Sequence, residues 1–137
     1  MNTWMRGLAA VVMGLIVAFV VTFGIEWINS LLSPLPAGLD RHDEAALKAA
    51  IAQLPVQALL GVLVGWFLAA VAGTFMATRI ARGDHRPAWF LGVLLVAGAI
   101  ATMRAIPHPV WFWVAALVAY PIAIWLGARS GEGTGDR

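Results

Sequence analysis

The chain has 137 residues, of which 61% are hydrophobic and only 12% charged, and a mean hydropathy of +0.85. Soluble domains carry about a quarter charged residues, so a water-soluble globular domain is excluded and a membrane protein is expected. The net charge is +2 at a pI of 9.9, too small an excess for a nucleic-acid-binding surface, and the absence of cysteine removes disulfides, thiolate metal sites, cysteine nucleophiles and lipidated-cysteine anchors.

The first apolar run extends from Gly7 to Leu32. It is longer than the roughly 7–15 residues of a signal-peptide core and closes on Glu26, Trp27 and Asn29 rather than on small residues, so it reads as a retained span. Residues 33–54 form the one substantial loop, opening with the helix-breaking SPLPAGLD and turning polar at Asp40, Arg41, His42, Asp43 and Glu44. Within it Asp40 is the candidate cap and Asp43 sits at the third position. Leu47, Ile51 and Leu54 recur at helical spacing, which predicts a short amphipathic helix on the membrane surface.

The second span runs from Pro55 to Thr78, with Pro55 suited to a first helical turn, and stops at Arg79. A linker of residues 79–87 carries three arginines and a Gly-Asp break. The third span covers residues 88–105, interrupted near its far end by Arg104; Pro107-His108-Pro109 then forces a tight turn. The fourth covers residues 110–127, and a glycine-rich tail, 128–137, is expected to be disordered. Four spans of about 20 residues use most of the chain. The expected fold is therefore an all-α, polytopic membrane protein in one domain, four transmembrane helices joined as two hairpins, with no room for an extramembrane domain.

Basic residues orient the bundle. Arg6, Arg79, Arg82, Arg86, Arg129 and Arg137 fall on one side, and only Arg41, Lys48 and Arg104 on the other. The first side is then cytoplasmic, with both termini inside. Tryptophans agree: Trp4, Trp89 and Trp125 lie near the inner ends, Trp27, Trp111 and Trp113 near the outer ends, and Trp66 alone lies deep. Eight arginines against the single Lys48, with much alanine, point to a GC-rich bacterial gene and hence to a bacterial inner membrane.

Aligning the second and fourth spans on Arg79 and Arg129 places Gly65, Ala69, Gly73 and Ala77 on Ala115, Ala119, Ala123 and Gly127. A small residue every fourth position lets helix backbones approach closely in lipid, where packing replaces the hydrophobic drive. The match reads either as a parallel repeat of two hairpins or as chance in an alanine- and glycine-rich sequence. In both cases these residues are expected to pack helices.

Charges within spans are costly and rare, which singles out Glu26 and Arg104. Glu26 lies 20 residues after Arg6 and Arg104 lies 18 after Arg86, so each stands about 27–30 Å from the cytoplasmic flank. Ala10, Gly14, Ala18 and Thr22 share the four-spaced face of Glu26, which should turn its carboxylate inward. Asn29, Ser30, Gln53, Gln57 and His108 gather at the same end. Three readings stay open: a structural pair of Glu26 and Arg104 with capping amides; an outward-facing site for a small polar ligand or lipid head group built from Glu26, Asn29, Gln57, Arg104 and His108; or a metal site from His108, Glu26 and His42 or Asp40, for which no spacing fixes a geometry. His85, among arginines, reads as a solvated linker residue.

No nucleophile elbow, phosphate-cradling loop, zinc motif or facing carboxylate pair is present, so neither enzyme chemistry nor a cofactor is expected. Mid-span polarity is limited to Trp66, Thr74 and Tyr120, which disfavours an ion path through one subunit.

The segments Pro34-Leu35-Pro36-Ala37-Gly38-Leu39-Asp40 and Ile106-Pro107-His108-Pro109-Val110-Trp111-Phe112 resemble those of small four-helix bacterial membrane proteins of unassigned function. The resemblance implies a fold and no activity. The leading expectation is an accessory or scaffold protein whose partners are the bilayer and other membrane proteins or further copies of itself. A ligand-binding or sensing protein and an oligomeric small transporter are the alternatives.

Overall fold

The structure is a computed structural model describing residues 2–40 and 42–133. Among the described residues it is all-helical: α1 is Thr3–Leu32, α2 Glu44–Ala52, α3 Val56–Ile80, α4 Arg86–Ala105 and α5 Val110–Ser130. The four long helices are each long and apolar enough to cross a membrane. Their outer faces carry exposed Ile16, Phe19, Phe23, Leu68, Val93 and Val118, the surface a bilayer covers.

Local chemistry sets the boundaries. The Asn2 side chain caps α1 by accepting from the Met5 amide at 2.8 Å, and α1 ends at Leu32, with Ser33 as its C-cap just before Pro34. The cap of α2 is Asp43, not Asp40: its Oδ1 accepts from the amides of Ala45 and Ala46 at 3.0 and 3.1 Å, while Asp40 only closes a turn onto the His42 amide. A cap must precede the amides it satisfies by two or three residues, which Asp43 does for a helix starting at Glu44.

α3 continues beyond Thr78 to Ile80, so Arg79 lies in its last turn, where a cation complements the exposed carbonyls. Arg82 and Gly83, at φ 57° and 87°, then reverse the chain. The fourth helix also outruns its expected end: Gly127 lies inside α5, and Gly131 closes it. Here packing overrides glycine's low helix propensity. Of the tail, residues 134–137 lie outside the described residues, as does Arg41.

α3 is the organising helix. α1 and α5 pack on adjoining faces of it without meeting each other, and α4 touches all three. Gly65, Ala69, Gly73 and Ala77 are all buried, and α1 crosses this stripe, with Ile25 over Gly65 and Gly14 and Ala18 over Gly73. Gly61 extends the stripe one turn further, beneath Asn29. On α5, Ala123 and Gly127 are buried, and Ala115 and Ala119 half-buried. Gly127 lies against Thr74 and Val71 of α3, not against its hairpin partner α4. The two ladders thus match in sequence yet serve different contacts.

Near the ends of α1 and α4 that bear Arg6 and Arg86, Gly7 approaches Pro87 and Gly14 approaches Leu91. Towards their other ends a cavity stands between them.

Candidate functional site

At the end of the bundle where α1 stops and α3 begins lies a cavity of about 530 Å³. α1 contributes Glu26, Asn29 and Ser30; α3 contributes Ala58, Val62 and Trp66; α4 and the turn after it contribute Thr102, Ala105, Ile106 and His108. Ser33 and Leu35 after α1, Leu47 and Ile51 of α2, and Leu54 just after it complete the lining. α2 makes no close backbone packing with any of the long helices, so its apolar side chains border the cavity that separates it from them. Apolar walls with a few polar groups, and a volume within the roughly 300–1,000 Å³ of ligand sites, give the cavity the character of a small-molecule pocket.

Three of the five residues singled out from the sequence meet here. Glu26 is half-buried and lines the wall. Asn29 is half-buried, and its Nδ2 donates to the Ala58 carbonyl at 3.0 Å, tying α1 to α3. His108 is half-buried, with Nδ1 at 2.6 Å from the Ile106 carbonyl oxygen. Its ring lies 4.6 Å from that of Phe112 and 6.3 Å from that of Trp66, centroid to centroid.

The other two stand outside. Gln57 is exposed, because the buried face of that turn belongs to Ala58 and Leu59. Arg104 is also exposed, and no Glu26–Arg104 ion pair forms among the described residues. The expected pairing fails on geometry: equal depth along two helices does not bring side chains together when one lines a cavity and the other is exposed outside it.

Trp66 is the lining residue that sequence reasoning left unassigned. It is buried, packs edge-on against Phe112 at 5.5 Å and 79°, and reaches Tyr120 at 6.3 Å. A signal existed, since it is the one tryptophan of seven away from a membrane interface. Thr102 and the α2 stripe were missed as site residues too, although the Leu47, Ile51 and Leu54 spacing was plain.

At the opposite end His85 is not simply solvated. Its Nε2 lies 2.7 Å from Glu132 Oε1, joining the start of α4 to the segment after α5, off the direction of a hydrogen bond. The space beside it is only about 70 Å³, well below the roughly 300–1,000 Å³ of ligand sites.

No family model, no curated protein and no solved structure matches this chain.

Proposed function

We propose that this chain is a binding protein of a bacterial cytoplasmic membrane that holds a small amphipathic molecule in the cavity beneath α2, on the outer side of the bilayer. The observation that carries this reading is the cavity itself: Glu26, Asn29, Ser30, Thr102 and His108 share its lining with Trp66, Val62 and Ile51. Such a space suits a ligand with one polar end and an apolar body.

The orientation rests on charge. The ends of α3 and α5 and the start of α4 carry Arg79, Arg129 and Arg86, while the cavity end carries Lys48 and Arg104. An excess of arginine marks the cytoplasmic side.

Ligand binding is preferred to the scaffold role because a scaffold would use the small-residue faces of α3 and α5 for partner helices. The α3 face is occupied within the chain, under α1, and Ala123 and Gly127 of the α5 face are buried as well.

The test is thermal unfolding of the protein in nanodiscs with eight-carbon amphiphiles differing in head group, compared with Ala105→Trp. Ala105 is an exposed lining residue at the end of α4, so an indole there fills the cavity with little disturbance of packing. At least one amphiphile should stabilise the parent and not the variant, as linkage requires for a ligand bound only to the folded state. Identical behaviour of the two proteins with every amphiphile would refute the cavity as a binding site.

A further inference from the structure

Hydrogen-bond donors and acceptors around the cavity are unbalanced. The Ser30 hydroxyl donates to the Trp27 carbonyl at 2.7 Å, and the Thr102 hydroxyl donates to the Gly98 carbonyl at 3.0 Å. Each hydroxyl has one hydrogen, so both retain only acceptor lone pairs. Ser33 differs: its hydroxyl lines the same cavity and makes no hydrogen bond among the described residues, so it offers a donor as well as acceptors.

His108 is constrained in the same way. Its Nδ1 faces the Ile106 carbonyl oxygen, and a carbonyl can only accept, so Nδ1 carries the hydrogen and Nε2 of the neutral ring is an acceptor. Asn29 directs one amide hydrogen to Ala58 and keeps a second, while its Oδ1 accepts. A Glu26 carboxylate accepts through both oxygens. No lysine or arginine lines the cavity, and among the described residues none makes an ion pair with Glu26.

We infer that the cavity selects an amphiphile whose polar end is a protonated amine, an ammonium that brings both positive charge and N–H donors. The inference rests on the proposal that the cavity binds a ligand and specifies its chemistry. Glu26 supplies the opposite charge, and the remaining acceptors take the N–H groups. The apolar body lies along Val62, Ile51 and Leu47. A carboxylate head would meet Glu26 with like charge and find no cation, only the Ser33 hydroxyl and one Asn29 N–H among the lining side-chain donors that no hydrogen bond uses.

The experiment compares octylamine, octanol, octanoate and octyltrimethylammonium at neutral pH, with affinities for the full-length protein in zwitterionic nanodiscs measured against the Ala105→Trp background. Octylamine should bind at least about tenfold tighter than octanol and octyltrimethylammonium, the last having the charge but no N–H donor. Octanoate should not bind above background. Glu26→Gln should weaken octylamine by about tenfold or more and leave octanol nearly unchanged. The comparison of head groups in the parent protein holds even if Glu26→Gln folds poorly. Octanoate or the quaternary amine equalling octylamine, or Glu26→Gln leaving octylamine binding intact, overturns the inference. If octanol or octanoate binds in an Ala105→Trp-sensitive manner while octylamine does not, the cavity stands as a site and the ammonium assignment falls. If none of the four distinguishes the parent from Ala105→Trp, both fall together.

Discussion

Gly14 and Gly73 face each other where α1 crosses α3, and the closeness is reciprocal. A methyl group on Gly14 would lie 2.7 Å from the Gly73 carbonyl oxygen, and one on Gly73 would lie 2.7 Å from the Gly14 carbonyl oxygen. Neither obstacle is a side chain that can swing aside, so any larger residue must push two backbones apart. In lipid, where apolar surface gains little by leaving the solvent, that proximity is a main source of helix association.

Gly73→Ala is therefore expected to destabilise by about 1–3 kcal/mol, against the roughly 1 kcal/mol that alanine gains over glycine in a helix, and Gly73→Leu by more. Leu68→Phe, on the exposed face of α3, should change stability by less than about 0.5 kcal/mol. Unfolding in mild detergent measures all three, and equal tolerance of the glycine and leucine substitutions would contradict the crossing.

One turn from the end of α1, Asn29 bridges to the Ala58 carbonyl, and its Oδ1 lies where a methyl on Gly61 would come within 2.5 Å. Asn29→Ala should lose about 0.5–1.5 kcal/mol. Gly61→Ala alone should also destabilise, because it displaces the asparagine. In the Asn29→Ala background the same change should become neutral or favourable, since the clash is gone and alanine's helix preference remains. A double-mutant cycle reads the coupling, and simple additivity would rule out the clasp.

Glu26 and Arg104 do not pair, so their substitutions should be independent. The cycle of Glu26→Gln, Arg104→Gln and the double variant should show a coupling within about 0.3–0.5 kcal/mol of zero. Arg104→Gln should leave ligand affinity nearly unchanged while Glu26→Gln reduces it. A recovery of stability in the double variant would restore the ion pair that the structure lacks.

The arginine distribution predicts that reporters fused at Gly83, in the turn between α3 and α4, and at the C-terminus both read cytoplasmic, while one inserted at Gly38 reads outside. An outside reading at Gly83 would invert the protein and place the cavity on the cytoplasmic face.

The four long helices were legible in the sequence because a bilayer imposes length and apolarity locally: a span must satisfy its own backbone over about 20 residues whatever its neighbours do. The glycine and alanine stripe of α3 was legible for the same reason, since helical periodicity alone puts Gly65, Ala69, Gly73 and Ala77 on one face. Which helix covers that face is a long-range matter. Only the tertiary structure assigned it to α1, set Gly127 against α3, and placed a cavity between the later turns of α1 and α4. Glu26 lines that cavity and Arg104 stands outside it. Depth can be counted along one helix, but the direction of a side chain relative to another helix depends on crossing and rotation, which no single segment encodes.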